Sequence, residues 1–132
     1  MDPFPVGKLP AKVLERLLRQ QRPSDPRVLL GPGLGLDCAV IDCGDTCLVV
    51  KSDPITFTAR ELGWYAVHVN ANDIATTGAQ PKWFTVILLL PENGADEDLV
   101  DQIFHQIRDA CSAIGAELVG GHTEITAGLD RP

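Results

Sequence analysis

The run Trp83–Leu90, WFTVILLL, constrains this chain more than any other stretch. It has the length of a strand and falls far short of the roughly 18 apolar residues that a membrane helix needs. A segment this rich in Val, Ile and Leu has to be covered, so Lys82–Leu90 is expected to be a buried strand packed against other layers. Just before it lies His68–Pro81, HVNANDIATTGAQP. Leu62, Tyr65, Ala66 and Val69 lead into that segment at helical spacing, and the pattern stops around Gly78. A helix is therefore expected to carry Asn72 and Asp73 near its C-terminal half. A carboxylate held beside a buried strand is costly unless it has a partner, most often a cation or a metal. An ordinary aspartate in a surface turn is the plainer alternative.

The 132 residues make one domain's worth of chain. With 45% hydrophobic and 22% charged residues, the composition is globular and not that of a disordered chain. A net charge of −7 and the lack of a basic stripe argue against nucleic acid as a partner. An acidic protein that binds a phosphate compound needs a bridging divalent ion. No membrane span is expected, and the opening MDPFPVGKLP lacks the layout of a signal peptide, so a cytoplasmic chain is expected. Cys38, Cys43, Cys47 and Cys111 then read as reduced thiols, and without a CxxC spacing they give little support to a zinc site.

Residues 1–30 read as an irregular arm and one helix. Pro10 suits the first turn of AKVLERLLRQ, whose Val13, Leu14, Leu17 and Leu18 share a face, with Arg16, Arg19 and Arg22 off it in solvent. Two β-rich runs follow, Cys38–Asp42 and Thr46–Val50, joined through Cys43-Gly44-Asp45 as a hairpin. The preceding Gly31-Pro32-Gly33-Leu34-Gly35 is neither a P-loop nor a dinucleotide fingerprint, yet its alternating glycines let backbone amides approach an anion. Asp37 opens the first strand and Asp53 closes the second; such places suit ligand carboxylates and plain turn aspartates alike. Asp96, Glu97 and Asp98 start a helix whose apolar face comprises Leu99, Val100, Ile103, Phe104, Ile107, Ala110, Cys111 and Ile114, and Gly115 ends it. His105 lies off that face and has no assigned role. A short strand, Ala116–Val119, should run into a turn at Gly120-Gly121-His122-Thr123-Glu124. From Ile125 to Pro132 no element is expected.

If Asp37, Asp53, Asp73 and the Gly120–Glu124 segment converge, they form an acidic pocket that suits magnesium carrying phosphate oxygens and waters. At these residues the sequence resembles the aminoimidazole ribonucleotide synthetase superfamily. GLGLDCAV is similar to its G-x-GDDAAV segment, KSDPIT to its S/T-T-D segment, VNANDIATTGAQP to VNDIAAMGA-x-P, and VGGHTEIT to GGDTE. The four segments occur in the superfamily's order from Gly31 onward. The superfamily includes purine-pathway cyclo-ligases, thiamine-phosphate kinases, selenophosphate synthetases and the hydrogenase-maturation dehydratase, and VGKLPAKVLERLL looks most like the last of these.

The resemblance implies an α+β domain over residues 31–132, with a four-stranded mixed sheet, helices on one face, and sheets paired across a homodimer. It implies ATP and Mg2+ as cofactors. Gly33, Gly35, Asp37, Asn72, Asp73, Gly120, Gly121 and His122 would bind nucleotide, and Asp37, Asp53 and Asp73 would bind the metal; no catalytic residue is implied. A second domain or separate C-terminal partner is expected, and this chain alone is not expected to turn over. The implied activity is ATP-dependent activation of an oxygen on a carboxamide or phosphate-bearing substrate, with hydrogenase maturation as one setting. The competing expectation is a non-catalytic dimerisation or regulatory module. Two positions depart from the superfamily: Leu36 stands where a second Asp is usual, and His122 replaces the Asp of GGDT. Imidazole is a poor magnesium ligand, so His122 would hold metal weakly, meet a phosphate oxygen, or only cap a turn.

Overall fold

The computed structural model describes residues 3–132, which form a first compact unit ending at Lys51 and a second of Ser52–Pro132. In the first, α1 (Ala11–Leu18) is followed by β1 (Val28–Leu30), β2 (Ala39–Asp42) and β3 (Cys47–Val50). Pro10 stands one place earlier than expected, as the N-cap residue, and its carbonyl accepts from Val13 and Leu14 N–H. The three strands form an antiparallel sheet in the order β1-β2-β3. The expected hairpin is present: Asp42 faces Cys47, Cys43 N–H donates to the Thr46 carbonyl at 2.9 Å, and Gly44 takes φ 88°. Strand β1 was not expected, because only Val28–Leu30 separate the turn at Pro26-Arg27 from Gly31, too few residues for a periodic signal. That turn is fastened by Asp25, whose carboxylate accepts from the Arg27 backbone N–H at 3.0 Å and from its guanidinium at 2.7 Å.

In the second unit, α2 (Leu62–Thr76), β4 (Trp83–Pro91), α3 (Glu97–Ile114) and β5 (Glu117–Thr126) follow one another. Strands β4 and β5 are parallel, which requires the crossover that α3 provides. Helix α3 starts where its acidic residues predict. The Asp96 side chain accepts from Leu99 N–H at 2.8 Å, and Gly115 at φ 68° ends the helix. Ala116 N–H then returns to the Cys111 carbonyl at 2.9 Å, and Glu117 N–H reaches the Lys82 carbonyl at 2.9 Å, so the helix stop sets the start of the β4–β5 ladder. No helix among the described residues is long and apolar enough to cross a membrane.

The strand pairing corrects the expectation of one four-stranded sheet: the strands fall into a three-stranded and a two-stranded sheet. It also corrects the reading of Lys82–Leu90 as buried. Phe84, Val86, Leu88 and Leu90 pack with Leu62, Val67, Ile103, Ile107, Ala110 and Cys111 in one core. Alternation sends Trp83, Ile87 and Leu89 to the other face, where Trp83 is 66% and Ile87 72% exposed. Helices thus cover one face of this pair, as expected, and leave an apolar face open on this chain. A third correction concerns Gly120–Glu124, which is no turn. β5 runs through it unbroken, with Gly120 opposite Thr85 and Gly121 opposite Val86. Glycine usually weakens a strand, so the segment reads as a loop in sequence, but here close backbone approach requires it.

Two glycines set the packing of this unit. A Cβ on Gly63 would lie 2.5 Å from the Ile103 carbonyl oxygen and 2.8 Å from Ile107 N, so α2 and α3 meet there backbone to backbone. Gly121, at φ 153°, would place a Cβ on the Val86 carbonyl. Gly63→Ala is expected to cost about 1–3 kcal/mol by overpacking, and Gly121→Ala more, because φ is also unfavourable. Urea denaturation checks both; an unchanged midpoint for either variant would contradict the packing described.

Candidate functional site

The predicted site residues belong to both units. In the first, the segment before β2 is a turn in which Leu36 N–H donates to the Gly33 carbonyl at 3.2 Å and Gly35 adopts φ 77°. Gly35 has open space where a Cβ would stand, so its glycine identity answers to backbone conformation and not to crowding. Asp37 is exposed at the end of this turn, two residues before β2 begins. The Lys51 ammonium approaches its Oδ1 at 3.7 Å, and the Lys51 side chain is only 6% exposed. Sequence reasoning missed Lys51. It lies just past β3, on the strand that pairs with β2, so the hairpin register was the available signal.

In the second unit the decisive contact is also one the sequence did not suggest. The Asn70 side chain grips the backbone of Asp53 from both sides. Its Oδ1 accepts from Asp53 N–H at 2.8 Å, and its Nδ2 donates to the Asp53 carbonyl at 3.1 Å and to the Ala66 carbonyl at 2.9 Å. A primary amide carries its donor and its acceptor on separate atoms, as a peptide group does, so it mimics a strand neighbour for one residue. Asp53 is thereby held against α2 at Asn70, and Asp73 lies further along that helix. The expected helix carrying Asn72 and Asp73 is present and stops at Thr77-Gly78, with Gly78 at φ 82°. Its buried positions are Leu62, Gly63, Val67 and Ala71, which leaves Asn72 exposed and Asp73 half-buried.

On β5, His122 lies opposite Ile87 and Glu124 opposite Leu89. His122 Nε2 is 2.9 Å from Glu124 Oε2, and the Thr126 hydroxyl donates to Glu124 Oε1 at 2.8 Å. Both oxygens of Glu124 are thus engaged, first by the imidazole and then by the hydroxyl, and this holds its carboxyl below the usual carboxylate range. His122 therefore does not cap a turn; it pairs with Glu124 along a strand. Gly121 is accounted for by its approach to Val86, while Gly120 has open space around it. Within either unit, no three described His, Cys, Asp or Glu side chains gather as a metal-binding group. The donor set is nevertheless hard oxygen, which fits magnesium arriving with phosphate oxygens better than it fits a metal held by protein alone. His105 is exposed, its Nδ1 2.7 Å from the Asp101 carbonyl oxygen, and plays no part in either group.

The architecture is α+β and is similar to part of two solved structures. It is similar to AaThiL complexed with AMPPCP and TMP, with a TM-score of 0.68 and 23% identity over 90% of this chain and 40% of that one. It is also similar to the thiamine monophosphate kinase of Aquifex aeolicus, with a TM-score of 0.62 and 18% identity over 87% of this chain and 38% of that one. Residues 35–131 match the family described as AIR synthase related protein, N-terminal domain, and the chain belongs to that family. Among its relatives are the thiamine-monophosphate kinase of Haemophilus influenzae, 28% identical over 84% of this chain and 35% of the relative. A putative hydrogenase expression/formation protein of Methanocaldococcus jannaschii is 32% identical over 74% of this chain and 32% of the relative. The selenide, water dikinase of Aeromonas salmonicida is 30% identical over 88% and 35%. The chain thus spans about a third of the length of these relatives.

The His122–Glu124 pair generates a titration test. Because the folded value of Glu124 is lowered, its contribution to stability is present above the ordinary carboxylate value and fades as pH falls through the lowered one. In a carboxyl-carbon NMR titration, Glu124 should titrate below the ordinary glutamate value, and His122→Ala should raise its midpoint. A midpoint that His122→Ala leaves unchanged would contradict the pairing.

Proposed function

We propose that this chain is the magnesium–ATP-binding domain of an ATP-using enzyme that activates an oxygen of a carboxamide or phosphate-bearing substrate. The observation that carries this reading is the fixing of Asp53 to the helix of Asp73 by Asn70. Two carboxylates, one on α2 and one on the segment bonded to it, repel a bare triphosphate and attract it once a divalent ion intervenes. In the second unit Asp53 and Asp73 would hold magnesium, whose chemistry there is to neutralise phosphate charge, with Asn72 as a polar donor and Gly120, Gly121 and His122 on β5 as further nucleotide contacts. In the first unit, taken by itself, Asp37 is a candidate metal ligand and the Gly33–Gly35 turn a candidate source of backbone donors. Lys51 beside Asp37 supplies a cation suited to a phosphate oxygen. Membership of the family and the likeness to a kinase complexed with AMPPCP support the nucleotide. One hydrogenase-related relative supports a maturation setting among several.

The second reading is a dimerisation module with weak or no nucleotide binding. Its support is the open face of β4, where Trp83, Ile87 and Leu89 stand exposed. A homodimer closing its sheets over that face is compatible with both readings, so nucleotide binding decides between them.

Calorimetric titration is the test. ATP should bind with magnesium present, lose binding in EDTA, and bind roughly 10–100-fold more weakly to Asp73→Asn. ATP affinity that EDTA leaves unchanged would contradict the assignment of Asp53 and Asp73. No binding under any condition, with a mass in light scattering of about twice 14.2 kDa, would favour the dimerisation module.

A further inference from the structure

A second concave feature of the Ser52–Pro132 unit has a different chemistry. Between α2 and α3 lies a cleft of about 310 Å³ lined by Glu61, Trp64, His68, Gln106 and Asp109, with two alanines completing the lining. The helices are drawn together by the contact at Gly63, whose N–H donates to Gln106 Oε1 at 3.0 Å. Trp64 is 47% exposed, unusual for the largest apolar side chain, yet its indole is not loosely placed. It meets His68 edge-on at 4.2 Å and Tyr65 at 5.1 Å, and Tyr65 in turn meets Phe57 at 5.3 Å. A file of rings thus orders the indole at the cleft and keeps part of it open.

The charge at this cleft is one-sided. Glu61 and Asp109 are both carboxylates, and no Lys or Arg lines it. The neighbouring Arg108 approaches Asp109 at 3.5 Å, but it lines a different groove, between α3 and β5. That contact is between two exposed side chains and is readily displaced. An exposed indole that shares a cleft with two carboxylates matches a cation that offers a flat or alkylated surface as well as charge.

We propose that this cleft binds the guanidinium or alkylammonium head of an organic cation, with Trp64 against the head and Glu61 and Asp109 supplying the charge. The inference is independent of the nucleotide reading, since none of these residues belongs to the proposed magnesium–ATP group. The cation is either a free small molecule or a basic side chain on a polypeptide, and the two sources are separable.

The test follows the Trp64 indole N–H by NMR in the full chain, assigned with Trp83→Phe. Two probes are titrated: L-argininamide, and an end-blocked pentapeptide with one central arginine. A saturable shift at millimolar probe supports the site. Tighter binding of the peptide assigns the cleft to a polypeptide, and binding of argininamide at least as tight assigns it to a free cation. Glu61→Gln combined with Asp109→Asn, both close in shape to the originals, should weaken binding about fivefold or more while leaving the rest of the spectrum in place. Absence of a saturable shift with either probe, or unchanged binding in the double variant, would overturn the proposal.

Discussion

The proposed site depends on one side-chain amide. Asp53 lies on an irregular segment with Pro54 after it, and such a segment has no strand neighbour to fix its backbone. Asn70 supplies that neighbour from α2, accepting from Asp53 N–H and donating to its carbonyl. The third bond, from Nδ2 to the Ala66 carbonyl, ties the amide to its own helix. A polar group that meets both a donor and an acceptor on one residue fixes the direction of that backbone as well as its distance. Position on α2 is set in turn by Val67 and Ala71, buried on either side of Asn70 in the sequence, with Val67 packed into the core of α3 and β4. The core of β4, α2 and α3 is therefore the frame, Asn70 is the connector, and the carboxylates of Asp53 and Asp73 are what the frame presents.

Much of that frame was legible in the sequence. The limits of α3 were readable because Asp96 and Gly115 act locally: one side chain closes the first turn, and one left-handed residue closes the last. The β2–β3 turn was readable for the same reason, with Gly44 at φ 88°. What escaped depends on partners distant in sequence. The pair of glycines in β5 looks like a strand end until Val86 is brought against Gly121. Val28–Leu30 is too short to announce itself, and becomes a strand because β2 lies alongside it. Asn70 bonds across seventeen positions to Asp53 and looked like one more polar residue in an Asn-rich helix segment. Lys51 reaches Asp37 because of hairpin register.

The two departures from the resembled pattern have different consequences. Leu36, where a second Asp was expected, is 47% exposed in the turn before Asp37, so that turn offers one carboxylate and a nearby ammonium instead of two carboxylates. His122 is not isolated, since it donates to a carboxylate two residues along the same strand. The negative charge that an Asp would place at position 122 is lost, since Glu124 matches the Glu that GGDTE already carries, and the one carboxylate left in this segment of β5 is the one paired with His122.

The most direct measurement concerns Asn70 itself, because it touches no ligand in this account and acts through Asp53. Asn70→Ala removes both bonds to Asp53 while leaving every carboxylate in place. Calorimetry of ATP in saturating magnesium, with amide spectra to show that α2 remains folded, should find affinity weakened by about tenfold or more. Unchanged affinity in a folded Asn70→Ala variant would show that Asp53 does not need α2, and would contradict the account at its centre.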